Sequence, residues 1–198
     1  FPKPVSKTLP LWSTSAGNPK VWIAAAQNGM NILTGLMEQS VEELKEKIDL
    51  YRMHLEKNGF SRESGRVTVM LHTFVGSSNQ EVERIVREPM MAYLKNHMKM
   101  YEKHLRAQKN QGGLNPDAIT EKDKQTLLEI GFQRYLHENA LMGDIDKSFK
   151  MVRKLSDIGV DEIACLVNFG AKDSEIIESL ESLDKLKNKC REQAVYAS

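Results

Sequence analysis

The chain has 198 residues, 40% hydrophobic and 28% charged, so it is long enough to bury a core as one domain and has the composition of neither a disordered nor a membrane-spanning protein. Its 28 basic and 27 acidic residues leave a net charge of +1 and alternate along predicted helices, which argues against nucleic acid as a partner. The two cysteines have no metal-ligand spacing, and we expect no signal peptide, no bound metal, no membrane partner and a cytoplasmic location.

The first predicted elements form a strand, a turn, a helix and a second strand. Residues 9–12 are an apolar run typical of a short buried strand, and residues 21–26 predict a helix that ends at Gly29. Residues 30–34 predict the second strand. Because two strands joined through a helix run parallel, these elements make a βαβ unit.

The turn in this unit has the composition of a ligand site. Asn18 is a helix cap, Pro19 suits the first helical position, and Gly17 lets another group approach the backbone closely. The carboxyl end of a parallel strand is the ligand side of such folds, and free N–H groups at a helix start favour a phosphate or a carboxylate. The same residues also suit a plain helix cap, so both interpretations stay open.

The next two elements are a helix and a long strand. Ser40 and Glu43 predict a capping box, and an apolar stripe extends from there to Asn58. Residues 66–75 have the strongest strand propensity in the chain, and their uniformly aliphatic face should pack against helices. His72 is then on the other face, near the ligand end, as either a hydrogen-bonded core group or a binding group.

A mostly helical stretch follows this strand. Ser78 and Glu81 predict a second capping box, Pro89 predicts a kink or break in the helix, and residues 111–116 predict a loop. Residues 120–141 predict another helix. We expect residues 77–142 as a whole to be a helical insertion between two strands, within a single domain spanning residues 1–198.

The chain ends with a helix, a strand and a helix. Asp144 predicts a cap for a helix that Gly159 closes, and residues 161–170 predict a buried strand with Asn168 near its carboxyl end. The last helix is expected from Asp173 to about residue 190, with three residues directed inward, namely Ile176, Leu180 and Leu183. Four parallel strands are half of an eight-stranded α/β barrel, or alternatively an open doubly wound sheet.

Four segments carry a resemblance to a known family: residues 9–51, GRVTVMLHTFVG, VREPMMAYL and GVDEIACLVNFG. They resemble the carboxyl-terminal half of a luciferase-like flavin-dependent monooxygenase, closest to the subfamily of nonribosomal peptide and polyketide biosynthesis. The resemblance implies an α/β fold, the C-terminal half of a (β/α)₈ TIM barrel of the bacterial luciferase type. This chain would supply strands five to eight and a helical insertion after strand seven.

The resemblance also implies a cofactor and site residues. Members of the family use reduced FMN, commonly supplied by a separate reductase, and O₂ to oxygenate a substrate. The FMN phosphate would bind at the turn after the fifth strand, which carries over onto Ser15, Gly17 and Asn18. The family usually has a small hydroxyl residue at position 18 and often threonine at position 21, where this chain has Asn18 and Val21. The candidates for a substrate or flavin pocket lie at the ends of the matching strands: Thr34, His72, Thr73 and Asn168.

The resemblance leaves the catalytic residues unassigned, because much of the flavin environment in the family comes from the first half of the barrel. The expected partners are therefore the missing N-terminal half or a second copy of the chain, and a substrate carried on a synthase. The alternatives are a non-catalytic half-barrel that serves as a binding or structural remnant, and a family member that uses a deazaflavin.

Overall fold

The computed structural model describes residues 9–15, 17–107 and 120–195, and the predicted loop at residues 111–116 lies outside them. Along the chain the elements are as follows: β1 (Trp12–Thr14), α1 (Pro19–Gln27), β2 (Asn31–Gly35), α2 (Val41–Lys57), β3 (Val67–Val75), α3 (Asn79–Ala107), α4 (Glu121–Arg134), a π-helical turn (Tyr135–Asn139), β4 (Leu141–Gly143), α5 (Ile145–Asp157), β5 (Glu162–Leu166) and α6 (Asp173–Val195). In the described part of the chain, no helix is both long and apolar enough to cross a membrane.

The chain divides into two compact units, and strand β3 contributes residues to both. The first unit is Phe1–Leu71 with Met151–Cys165, and the second is His72–Lys150 with Leu166–Ser198.

In the first unit, helices α1 and α2 connect parallel strands. Strand β1 pairs with β2 in parallel, from Trp12 opposite Asn31 onward, and β2 pairs with β3 in parallel, from Ile32 opposite Val67 onward. Strand β5 also pairs with β3. Helix α2 begins with the predicted capping box of Ser40 and Glu43. Its buried stripe is the predicted one: Val41, Leu44, Ile48, Tyr51 and Leu55.

In the second unit, the end of β3 pairs in parallel with β4, from Thr73 opposite Leu141 to Val75 opposite Gly143. The predicted parallel α/β fold is therefore confirmed, with β4 as a short strand that the sequence did not predict. Helix α4 ends at Arg134, seven residues earlier than expected, because the chain then forms a π-helical turn and β4. The side chains of β4 are all buried, which stabilises so short a strand.

Several predicted boundaries are wrong for identifiable reasons. Strand β1 lies at Trp12–Thr14 rather than residues 9–12, because Pro10 has no N–H for a ladder and Leu11 is 51% exposed. Helix α3 continues through Pro89 without a break. Burial of Val86 and Met90 on either side stabilises the helix enough to outweigh the one backbone hydrogen bond that proline removes.

Two expected burial patterns are also wrong. Strand β5 covers only Glu162–Leu166 of the expected residues 161–170, and none of its side chains is fully buried. In α6, Leu180 is 46% exposed while Ser179 is buried, because the Ser179 hydroxyl accepts the β3 backbone N–H of Val75 at 2.9 Å and so directs that face of the helix inward.

Candidate functional site

The turn between β1 and α1 is a capped helix start. Asn18 has extended backbone angles, and its side-chain oxygen accepts the N–H of Lys20 at 3.1 Å, as the predicted cap requires. Its carbonyl oxygen accepts the N–H of Val21 at 3.1 Å and the hydroxyl of Ser15 at 3.4 Å. The second of these distances is long for an O–H···O bond, so the Ser15 hydroxyl is readily available to a better acceptor.

This turn is accessible. Asn18 and Lys20 are exposed, and Ser15 and Gly17 are half-buried. Apart from Gly17 itself and its two neighbours in the chain, no heavy atom of the described residues lies within 4 Å of the position that a Cβ on Gly17 would occupy. The structure therefore has Ser15, Gly17 and Asn18 at an accessible turn that follows the carboxyl end of β1.

The groups around this space fit the phosphate of a flavin mononucleotide. The Ser15 hydroxyl, the Asn18 amide nitrogen and the Lys20 ammonium are donors, and the start of α1 adds the positive end of its dipole. The N–H of Lys20 is already bonded to the Asn18 side chain, so an incoming phosphate would share or replace that bond.

Thr34 lies directly beneath the turn. Its hydroxyl donates to the carbonyl oxygen of Ser15 at 2.6 Å, and the residue is 5% exposed. The hydroxyl in turn accepts the side-chain N–H of Gln39 at 2.8 Å. Thr34 was predicted to line a pocket, and the contacts show that it supports the Ser15 backbone.

His72 is the centre of an aromatic cluster in the second unit. The residue is 1% exposed, and its Nδ1 lies 2.8 Å from the hydroxyl oxygen of Tyr135. The rings of Tyr93, Tyr135 and Phe169 all meet the imidazole edge-on, with centroid distances of 4.4, 5.5 and 5.6 Å. Burial lowers the pKa of His72 to about 4, so the imidazole is neutral at neutral pH.

The second ring nitrogen of His72 is buried. Among the described residues, no group hydrogen-bonds to its buried Nε2. A buried polar atom of this kind is costly and therefore uncommon. Burial also raises the pKa of the Tyr135 hydroxyl, which keeps that group protonated as a donor or acceptor for Nδ1.

The other two predicted residues of this unit are Thr73, which is adjacent to His72 in sequence, and Asn168, which is adjacent to a residue that contacts His72. Thr73 is 1% exposed and follows His72 in β3, so its side chain is on the opposite face of the strand. Asn168 is exposed beyond the end of β5 and precedes Phe169, whose ring contacts His72.

A cavity of about 540 Å³ adjoins the aromatic cluster in this unit, a volume in the range of small-molecule sites. Tyr93 and Phe169 belong both to its lining and to the rings around His72. The rest of the lining is mixed, with Arg84 and Lys172 as its basic residues and Glu88 and Glu175 as its acidic ones.

Sequence reasoning did not single out four of these residues as members of a site: Gln39, Tyr93, Tyr135 and Phe169. Gln39 precedes the cap of α2 and could have been noted as a polar residue at a strand-to-helix turn. The aromatic residues are distant in sequence from His72, so no local pattern indicates their contact. In the described side chains, no group of three or more His, Cys, Asp or Glu could hold a metal ion.

The comparisons with known proteins agree with this fold. Residues 1–162 match the model of the luciferase-like monooxygenase family. A search of curated proteins finds no match.

Three solved structures illustrate the likeness. A long-chain alkane monooxygenase has 16% identity and a TM-score of 0.62, over 89% of this chain and 41% of that one. The oxygenating constituent of 3,6-diketocamphane monooxygenase from Pseudomonas putida, in complex with FMN, has 14% identity and a TM-score of 0.58. This match covers 87% of our chain and 46% of that one. A coenzyme F420 dependent tetrahydromethanopterin reductase from Methanopyrus kandleri has 13% identity and a TM-score of 0.57, over 87% and 49%.

These neighbours are TIM-barrel proteins, and at this level of identity they establish the fold alone. The chain spans about half the length of the solved structures that it matches. The family match covers most of the 198 residues, and it includes the turn at Ser15 to Asn18 and the strand that carries His72. The chain belongs to the luciferase-like monooxygenase family.

Proposed function

We propose that this chain is the carboxyl-terminal half of an FMN-dependent monooxygenase that uses reduced FMN and O₂ to oxygenate a secondary-metabolite intermediate. The observation that supports this most is the accessible turn between β1 and α1, where Ser15, Gly17 and Asn18 surround open space at the start of a capped helix. The family membership supplies the reaction class.

In this proposal the turn holds the cofactor by its phosphate. The Ser15 hydroxyl and the Asn18 amide donate to phosphate oxygens, the Lys20 ammonium balances their charge, and Gly17 leaves room for them. Bound reduced FMN supplies the activation of O₂. The residues of this chain contribute orientation and charge, which fits a protein whose first half supplies the flavin-ring environment.

The second unit contributes a substrate or flavin pocket. His72 offers a neutral imidazole nitrogen that no other described residue hydrogen-bonds, and Tyr93 and Phe169 give the adjoining cavity an aromatic wall. Of the other two candidates, Asn168 precedes Phe169 of this wall, whereas Thr73 faces away from His72 on β3 and would line a pocket on the other side of the strand. The aromatic wall suits an apolar or planar part of a substrate, and the charged residues of the lining, Arg84, Glu88, Lys172 and Glu175, suit its polar groups.

The proposed partners follow from the length of the chain. An open parallel sheet has two edge strands, which the N-terminal half of a barrel or a second copy of this chain would cover. A separate reductase would deliver the reduced FMN, and a carrier domain of a synthase would present the substrate. The cytoplasm, where such systems operate, is the proposed location.

Flavin binding tests the proposal. Anaerobic titrations of the natural protein in full length with reduced FMN and with reduced coenzyme F420 should give a lower dissociation constant for FMN, by about tenfold or more. The 198 residues alone should bind reduced FMN more weakly than the full-length protein. Tighter binding of F420 would identify a deazaflavin enzyme, and equal affinity of the two polypeptides would refute the half-barrel.

A non-catalytic half-barrel is the second candidate, and one observation favours it. The Asn18 side-chain oxygen already satisfies the N–H of Lys20, and Val21 has no hydroxyl to offer a phosphate. A structural remnant would bind neither FMN nor F420 in the titrations above. A binding remnant would bind a flavin but, unlike the proposed monooxygenase, would not consume O₂ to oxygenate a substrate.

A further inference from the structure

A chain of buried hydrogen bonds connects helix α2 to the turn at Ser15 in the first unit. The Lys47 ammonium donates to Gln39 Oε1 at 3.0 Å, and Gln39 Nε2 donates to the Thr34 hydroxyl at 2.8 Å. The Thr34 hydroxyl donates to the Ser15 carbonyl oxygen at 2.6 Å. Gln39 is 2% exposed and Thr34 is 5% exposed, so water does not compete for these bonds.

The direction of each bond is fixed by chemistry. A carbonyl oxygen only accepts, so the single Thr34 proton goes to Ser15 and the Gln39 amide must donate to Thr34. The second amide N–H of Gln39 donates to the Gly35 carbonyl oxygen at 2.7 Å, and its oxygen faces the ammonium of Lys47. The amide of Gln39 therefore has one orientation only.

The far end of this chain is the backbone of Ser15. Its N–H donates to the Leu33 carbonyl oxygen at 3.2 Å and its carbonyl oxygen accepts from Thr34, so the residue is held on both sides. Within the described residues, the bond recorded for the Ser15 hydroxyl is the long one of 3.4 Å to the Asn18 carbonyl oxygen. A residue with a fixed backbone and a weakly engaged hydroxyl is organised in advance for a ligand.

We propose that Gln39 is a positioning residue for the phosphate of the cofactor, acting through Thr34 on the backbone of Ser15. The inference rests on the proposed function. It adds Gln39 and Lys47, which are linked to Ser15 through Thr34, to the residues on which phosphate affinity depends. In this proposal the flavin ring does not contact the turn. Loss of the chain of hydrogen bonds should therefore lower the affinity for FMN and leave the affinity for riboflavin unchanged.

The experiment compares FMN with riboflavin, which lacks the phosphate, as ligands of the full-length natural protein. The wild type should prefer FMN, and Gln39→Leu or Thr34→Val should reduce this preference by about fivefold, the loss of one such hydrogen bond, without changing riboflavin affinity. Thr34→Ser keeps the hydroxyl and should restore the preference. Asn28→Ala is the matched control, because it removes a 2.8 Å bond to Ala24 at the other end of α1 and should leave the preference intact.

A readout without a ligand uses amide hydrogen exchange. The Ser15 N–H should exchange faster in Gln39→Leu and Thr34→Val than in Asn28→Ala. If the first two variants do not fold, Lys47→Met tests the proposal instead. It removes only the donor to Gln39 Oε1 and should lower the preference for FMN over riboflavin by about twofold. A preference for FMN that survives in every folded variant would overturn the role of Gln39. Equal affinity of the wild type for FMN and riboflavin would instead overturn the phosphate site itself.

Discussion

The Nδ1 atom of His72 lies 2.8 Å from the hydroxyl oxygen of Tyr135, at the first residue of a π-helical turn, while the other imidazole nitrogen has no partner among the described residues. Single π turns often occur at functional sites, and here one lies between α4 and β4. Here the turn presents Tyr135 to the buried face of β3.

The protonation of His72 should make stability depend on pH. Burial places its folded pKa at about 4, below the value of 6.5 for an unperturbed histidine, so the unfolded chain binds more protons between these values. The stabilisation is complete above pH 6.5 and is lost as the pH falls toward 4. Between pH 7 and pH 5 the free energy of unfolding should fall for the wild type. Urea denaturation should show that this fall is about 2 kcal/mol smaller in His72→Gln.

The control for this prediction is His137→Gln, an exposed histidine in the π-helical turn. It should retain the pH dependence of the wild type. An identical pH dependence in His72→Gln and the wild type would show that His72 titrates normally in the folded protein.

The bond between Tyr135 and His72 should be measurable as a coupling. Tyr135→Phe leaves both imidazole nitrogens without a partner and should lower the free energy of unfolding by about 1–3 kcal/mol. In a His72→Leu background, Tyr135→Phe should lower the free energy of unfolding by a smaller amount, because the Tyr135 hydroxyl then has no imidazole to bond. A double-mutant cycle by urea denaturation should give a coupling of about 1 kcal/mol, and additive effects would contradict the contact.

Gly17 should matter for binding and not for stability. Apart from its two neighbours in the chain, no heavy atom of the described residues lies within 4 Å of its added Cβ, so Gly17→Ala should change the unfolding free energy by less than about 0.5 kcal/mol. The added methyl group would project into space that a phosphate needs, and FMN affinity should fall by about tenfold.

Gly131→Ala provides the comparison for this variant. Its Cβ is also unobstructed, but it lies inside α4, where alanine should stabilise the helix by about 0.5–1 kcal/mol without affecting FMN. A Gly17→Ala protein with the FMN affinity of the wild type would remove Gly17 from the site.

Buried glycine at a close contact should behave differently. A Cβ on Gly65 would lie 1.9 Å from the hydroxyl oxygen of Tyr51, which is fully buried and donates to the Met30 carbonyl oxygen at 2.7 Å. Gly65→Ala should therefore lower the free energy of unfolding by about 1–3 kcal/mol, as overpacking does. In thermal denaturation, Gly65→Ala should have a clearly lower melting temperature than Gly17→Ala. Equal melting temperatures would show that the Tyr51 contact is not retained.

The sequence predicted the elements whose causes are local. The capping box of Ser40 and Glu43, the Asn18 cap and the stripe on α2 each depend on residues within a few turns, and the structure has all three. The parallel arrangement was also predictable, because each predicted strand is followed by a helix long enough to cross back.

What the sequence did not predict depends on contacts between distant residues. Helix α3 passes through Pro89 because its neighbours are buried, and β4 is three residues long because β3 offers it a partner. The bonds from Gln39 to Thr34 and from Thr34 to Ser15 join different elements, so no periodicity indicates them. The rings around His72 come from three separate segments for the same reason.

The central claim is that the turn at Ser15, Gly17 and Asn18 binds the phosphate of FMN. Its most direct test is a two-dimensional ¹H–¹⁵N NMR titration of the full-length protein with FMN and, separately, with riboflavin. The account predicts that the amide signals of Ser15, Gly17 and Lys20 shift with FMN and remain in place with riboflavin. Shifts of these three signals with both ligands, or with neither while other residues respond to FMN, would contradict it.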